Sequence, residues 1–122
     1  MNTESLTGER ACIELSWNHA GATGRVLRMA DGVEAGRVEL RAAGDELFIA
    51  RLEVDPAFRG YGLGSESARL LRQRAETGHW RTLRAWAPPH LGLSVYFWNR
   101  MGLRPLHGEG PDGGIWFERI LR

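Results

Sequence analysis

The stretch from Glu46 to Ala87 constrains the fold more than any other part of the chain. Glu46–Val54 (ELFIARLEV) is apolar enough for a central strand covered on both faces, and Asp55-Pro56 stops it. Leu63, Ser67, Leu70, Leu71 and Ala75 then recur at helical spacing up to Gly78, a suitable C′ residue for a helix of about four turns. Thr82–Ala87 (TLRAWA) reads as a second strand, ended by Pro88-Pro89. Strand, helix and strand in this order make a right-handed crossover, so the two strands lie parallel and side by side.

The flanks add antiparallel strands to that unit. Cys12, Ile13, Leu15 and Trp17 give a strand over Ala11–Trp17; a turn over His19–Gly24 leads to a strand at Arg25–Ala30, and Asp31-Gly32 turns again. Val38, Leu40 and Ala42 alternate with Arg37, Glu39 and Arg41, as a half-buried strand with one wet face should. Downstream, Leu93, Tyr96, Phe97 and Met101 predict a short helix ending at Gly102, and residues 103–107 and 114–121 a closing hairpin. The class is α+β. Polar residues 1–10 read as a flexible lead-in to one domain over residues 11–122, since 122 residues hold one core.

Charge and cysteine content narrow the function classes. Sixteen basic and fifteen acidic residues are interleaved, which leaves no one-signed field to recruit nucleic acid or an anionic membrane. All sixteen are arginine, so chemistry that needs lysine, such as a Schiff base or a Walker-type phosphate loop, is excluded. Lone Cys12 cannot form an internal disulfide, and the four scattered histidines offer no metal-ligand spacing, so no metal is expected. Without a basic n-region, an apolar h-region or a membrane-length apolar stretch, the expected setting is the cytoplasm.

The chemistry is written between the central strand and its helix, in Val54-Asp55-Pro56-Ala57-Phe58-Arg59-Gly60-Tyr61-Gly62-Leu63-Gly64. The first amides of a helix lack intrahelical partners, the dipole adds partial positive charge, and glycine lets a ligand come close to the main chain. Such a place suits a pyrophosphate, with Arg59 as a permanent cation at its edge. The spacing is neither G-x-G-x-x-G nor G-x-x-x-x-G-K-[ST], so dinucleotide and P-loop sites drop out.

VDPAFRGYGLG resembles motif A of the GCN5-related N-acetyltransferase superfamily, R-x-x-G-x-G after a V-x-P strand end, with Arg59, Gly62 and Gly64 at the motif positions. A second match follows in the right order: Phe97-Trp98-Asn99-Arg100-Met101-Gly102-Leu103 is similar to the family's L-Y-E-K-L-G-F helix end. The resemblance implies a mixed, mostly antiparallel sheet whose parallel central strands splay apart, flanked by two main helices. It implies acetyl-CoA as co-substrate, the pantetheine arm along the backbone of Leu52, Glu53 and Val54, and the pyrophosphate on Arg59, Gly60, Tyr61, Gly62, Leu63, Gly64 and Ser65. An amine held against the thioester would attack it directly, with no covalent enzyme intermediate.

Acid and base are less plainly written. The family's usual acid is the tyrosine of the second motif, but its position holds Trp98, an N–H donor rather than a proton source, which stays a candidate lining of the acyl channel. Tyr96 lies about 200° round the helix from it. Strict alternation puts Glu46, Phe48, Ala50, Leu52 and Val54 on one strand face, which makes Glu46 the candidate base, with a water relay and His90 as competitors. Glu66, in the first helical turn, would repel a nearby phosphate.

Where family members place two helices between their first two strands, this chain has only a turn, so the acceptor side should be open. Apolar surface left bare there would favour a homodimer. The expected acceptor is a small-molecule amine or a protein amine. The alternative is a catalytically weak acyl-CoA-binding or interaction module of the same fold.

Overall fold

The computed structural model describes residues 2–87, 93–106 and 113–121. Its strands are β1 (Asn2–Thr7), β2 (Ala11–Asn18), β3 (Gly21–Arg28), β4 (Glu34–Ala43), β5 (Glu46–Val54), β6 (Thr82–Ala87), β7 (Arg104–Pro105) and β8 (Ile115–Ile120). They form one sheet in the order β1-β2-β3-β4-β5-β6-β8-β7, open rather than closed into a barrel. Helix α1 (Leu63–Thr77) makes the crossover from β5 to β6, the parallel pair, and α2 (Leu93–Arg100) links β6 to β7. The α+β architecture, the parallel centre and the two main helices are those the sequence predicts.

The parallel pair is short. Glu46 to Ile49 pair with Thr82 to Ala85, and there the ladder stops. From Ala50 to Val54, β5 keeps β4 on one side, through Val54 opposite Gly36, while β6 turns to β8 alone. This is the expected splay.

Residues 2–7 are not a mobile lead-in. They pair along β2 from Asn2 opposite Trp17 to Thr7 opposite Cys12. An edge strand with one wet face needs few apolar residues, and here Leu6 alone packs on the core. Polar ties do the rest: Glu4 Oε1 accepts from Trp17 Nε1 at 3.2 Å and from Arg74 Nε at 2.8 Å.

The glycines between β2 and β3 also differ from expectation. The turn is only Asn18 to Ala20, where Asn18 Oδ1 accepts the Ala20 amide at 2.7 Å. Gly21 and Gly24 lie inside β3, because a Cβ on either would run into a carbonyl of the neighbouring strand, Leu40 or Glu14. That tight turn alone joins β2 to β3, with no helix between them. Among the described residues the helices are α1, α2 and one 3₁₀ turn, Pro56–Phe58. Gly78, expected as a left-handed cap, has φ −87° and an extended backbone; it is small because Trp80 packs where its side chain would be. Gly102, with φ 91°, does end α2 in the left-handed region.

A bulge reorganises the faces of β5. Glu39 opposes Arg51 while Leu40 opposes Ile49, so Ala50 is an extra residue and alternation reverses there. Leu47 and Ile49, then Leu52 and Val54, face the helices; Glu46 and Phe48, then Arg51 and Glu53, face the other way. The one-face set Glu46, Phe48, Ala50, Leu52, Val54 is therefore wrong beyond Phe48.

The core lies between the sheet and α1, where Ile13, Leu15, Val26, Leu47, Leu71 and Leu83 are almost wholly buried, and extends to Phe117. Arg72 Nη1 donates to the Met101 carbonyl at 3.0 Å, which ties α1 to the end of α2. The opposite face carries no helix among the described residues, and much of it is charged. Arg25 pairs with Glu14 (2.9 Å) and Glu34 (3.6 Å), Arg51 with Glu53 (3.6 Å), and Arg84 with Glu46 and Glu118 (both 3.1 Å). Phe48, Trp86 and Trp116 share this face at its β5–β6–β8 end, Phe48 edge to face with Trp116 at 5.7 Å, so apolar and charged surface lie side by side there.

Candidate functional site

The loop after β5 is built by its backbone. Asp55 N–H bonds the Ala35 carbonyl at 2.7 Å, and the 3₁₀ turn is closed by Phe58 N–H to Asp55 O at 2.9 Å. Gly60 (φ 89°) and Gly62 (φ 78°) then take left-handed conformations that side chains resist, and Gly62 is the N-cap of α1 without any side-chain cap. The first bond into the helix runs from Glu66 N–H to Gly62 O at 3.1 Å, so the amides of Leu63, Gly64 and Ser65 precede it. Among the described hydrogen bonds none takes an amide between Gly60 and Ser65. The Arg59 amide is different: it points back to the Pro56 carbonyl at 3.4 Å.

These groups surround a cavity of about 190 Å³, lined by Val54, Phe58, Arg59, Gly60, Gly62, Leu63, Gly64, Ser65 and Phe97. It opens beside the stretch of β5 that has left β6. A Cβ on Gly60 would meet nothing within 4 Å, and one on Gly64 would reach only Val54 Cγ2 at 3.6 Å, so these two glycines leave room. Arg59 Nε donates to the Val54 carbonyl at 3.1 Å, which holds its guanidinium at the rim. Phe58 is braced from behind by Arg28, 4.9 Å above its ring. Arg28 in turn bonds Asp31 at 2.6 Å and, by that hydrogen bond first, holds the Asp31 carboxyl below the usual carboxylate range.

Most of the predicted set therefore converges: Val54, Arg59, Gly60, Gly62, Leu63, Gly64 and Ser65 share one cavity. Leu52 and Glu53 lie just before it on the stretch of β5 that has left β6, and Tyr61 points outward, 65% exposed. Trp98 does not join them. It is 6% exposed in the core, and its neighbour Phe97, 4.9 Å away edge to face, takes the cavity wall. One-residue phase on a short helix decides which aromatic faces the cavity, and the motif match alone favoured the wrong one. The side chain of Tyr96, His90 and Pro88-Pro89 lie outside the described residues.

Glu46, the candidate base, is also elsewhere. It stands at the paired end of β5 on the helix-free face, four residues before Ala50, or about 13 Å along a strand. It is held by Arg84 at 3.1 Å, beside Glu118, which Arg84 also binds. Its position at the far, paired end of the strand is the reason, and the bulge also puts Val54 on the opposite face from Glu46.

Glu66 departs from expectation in a different sense. Its carboxylate turns away from the cavity and accepts the amides of Glu9 (3.2 Å), Arg10 (2.5 Å) and Ala11 (2.5 Å). Three N–H donors satisfy a carboxylate that is otherwise 9% exposed. Nothing in the sequence links position 66 to positions 9–11, and only the folded chain does.

A larger hollow of about 680 Å³ lies over β1 to β4, floored by Ser16, Thr23 and Gly24 and edged by Glu14, Arg25 and Arg37. It lies on the helix-free face and reaches Arg37, which stands opposite Glu53 on the stretch of β5 that has left β6. Among the described residues no group of His, Cys, Asp and Glu could hold a metal ion, and no helix is long and apolar enough to cross a membrane.

Comparison with known proteins agrees with this geometry. No curated protein has a matching sequence. Solved structures are similar in fold. A GCN5-related N-acetyltransferase from Brucella melitensis has a TM-score of 0.80 at 14% identity, covering 98% of this chain and 80% of that one. A GNAT family acetyltransferase from Elizabethkingia anophelis with acetyl-CoA bound has a TM-score of 0.70 at 14% identity, covering 84% and 77%. The ribosomal-protein-S18-alanine N-acetyltransferase from Escherichia coli has a TM-score of 0.68 at 17% identity, covering 86% and 72%. The model of the Acetyltransferase (GNAT) family matches residues 4–102, most of the sequence, and the chain belongs to that family.

Proposed function

We propose that the protein is an acetyl-CoA-dependent N-acetyltransferase that moves the acetyl group to an amine by direct attack, in the cytoplasm. One observation carries this reading: the partnerless amides from Gly60 to Ser65 open onto a cavity that adjoins the splay of β5 from β6. The diphosphate of CoA fits those amides and the helix dipole, with Arg59 at the rim. The pantetheine arm fits along Leu52, Glu53 and Val54, where β5 has lost its neighbour and strand-like bonds are on offer. That path would bring the thioester into the gap between the strands. The acetyl-CoA in the related Elizabethkingia structure supports the ligand class.

The chain's own contribution is positioning. Holding amine and thioester together supplies the effective concentration of an intramolecular reaction, and a backbone N–H near Val54 is placed to stabilise the developing oxyanion. Neither Trp98, in the core, nor Phe97, on the wall, can give a proton to the leaving thiolate. Bulk water serves in this reading to take the ammonium proton and to supply the proton of the departing thiolate, across the helix-free face, where the acceptor has open access. A small amine or a protein amine suits that opening; the alanine of a ribosomal protein is the acceptor named for the Escherichia coli relative.

The buried Trp98 and the ion-paired Glu46 favour a second reading, a module that binds acyl-CoA and turns it over slowly or not at all. Thiol release from acetyl-CoA across a panel of amines separates the two. Amine-dependent release supports the enzyme, whereas tight CoA binding without release on any amine supports the module.

Glu46→Gln checks the reassignment of Glu46. With the carboxylate serving a half-exposed ion pair, kcat/KM is expected to stay within about threefold of the parent, the scale of an ordinary surface change. A fall in kcat of a hundredfold or more at unchanged KM would return Glu46 to the role of base.

A further inference from the structure

The turn between β1 and β2 reaches the glycine loop. A Cβ built on Gly62 would lie 2.6 Å from Arg10 Nη1 and 3.7 Å from its Cζ, so the guanidinium rests against the N-cap of α1. Arg10 has no carboxylate within ion-pair distance among the described residues, whereas most other arginines of the sheet do. The arrangement is fixed by Glu66, whose carboxylate grips the amides on either side of Arg10 and that of Arg10 itself. Gly8 completes the clamp, since a Cβ there would lie 2.7 Å from Glu66 Cδ. A helix carboxylate thus spends its charge on backbone donors of the turn, and the turn presents its free cation to the loop.

We infer that Arg10 is a second phosphate-binding cation of the acyl-CoA site, reaching the diphosphate across Gly62 from just outside the present cavity lining, and that Glu66 is the residue that positions it. The inference rests on the CoA reading above. Its chemistry is specific. Gly62 lies at the middle of the amide cradle, so the group within reach is the diphosphate bridge rather than the 3′-phosphate of the ribose. A guanidinium offers paired donors to phosphoryl oxygens, and a charge-assisted contact of this kind is worth about a tenfold change in affinity.

The test is calorimetric titration of the full chain with CoA and with 3′-dephospho-CoA, in parallel with thermal melting. Arg10→Gln is expected to weaken both ligands about tenfold, to flatten the dependence of affinity on salt, and to leave the melting temperature unchanged, because the side chain is exposed and unpaired. Arg10→Lys should recover part of the loss. Glu66→Gln should weaken both ligands and also lower the melting temperature. In that background Arg10→Gln should add less than about threefold, since the cation is already misplaced. Equal affinity in Arg10→Gln and parent, or a loss seen with CoA and not with 3′-dephospho-CoA, overturns the inference. A parent protein that takes up neither ligand defeats the CoA reading itself.

Discussion

Gly64→Asp is expected to abolish CoA binding, by a hundredfold or more, while leaving the fold as stable as before or slightly more so. Gly64 has helical backbone, and its Cβ would touch only Val54 Cγ2 at an ordinary 3.6 Å, so the position admits a side chain. An acidic residue in the first turn complements the helix dipole, and aspartate, like any residue with a Cβ, restricts the unfolded chain more than glycine does. Local effects on folding are thus favourable by some tenths of a kcal/mol, on the order of a helix-terminal charge. The same carboxylate would stand among the amides of Leu63, Gly64 and Ser65, in the space assigned to a diphosphate carrying two negative charges. Repulsion and lost volume act together there, which sets the size of the effect. Gly62→Glu is a less clean probe, because φ 78° and the Arg10 guanidinium both resist a side chain. Titration with CoA and a thermal melt read the two halves of the expectation; unchanged affinity would remove the cradle from the account.

Phe117→Ala should cost about 3–5 kcal/mol, the range for truncating a fully buried phenylalanine. Phe117 is 0% exposed and sits opposite Ala85 on one side and Pro105 on the other, so it joins β6, β8 and β7 beneath α2. Its cross-strand partners, Ala85 and Pro105, are too small to fill the void themselves. A domain of this size holds about 5–15 kcal/mol in all, so the variant should melt at least about 10 °C lower. The site should suffer as well, since α2 supplies the Phe97 wall of the cavity. A loss below about 1 kcal/mol in chemical denaturation would mean that the outer half of the sheet is not packed as described.

The parts of the molecule legible in the sequence are those encoded by local pattern. Apolar density in Glu46–Val54, helical spacing over Leu63–Ala75 and the glycines at 60, 62 and 64 are each contained in a short window, and together they gave the crossover and the cradle. What stayed hidden depends on contacts between windows. The Ala50 bulge is one extra residue without a residue type of its own, yet it turns Leu52 and Val54 away from Glu46 and removes the reason for choosing Glu46 as a base. β1 is held by Glu4 and by pairing with β2 rather than by an apolar stripe, so composition read it as a tail. Gly21 and Gly24 looked like a turn because glycine marks both turns and close strand approach. Glu66 could be read only as a charge near a phosphate until the fold placed residues 9–11 against it.

A crystal structure of the protein with CoA is the most direct measurement. The account predicts diphosphate oxygens within hydrogen-bond distance of amides between Gly60 and Ser65, and the pantetheine arm against Leu52–Val54 in the gap left by β6. A CoA molecule bound elsewhere, or a β5–β6 gap closed by protein with the ligand outside it, would contradict it.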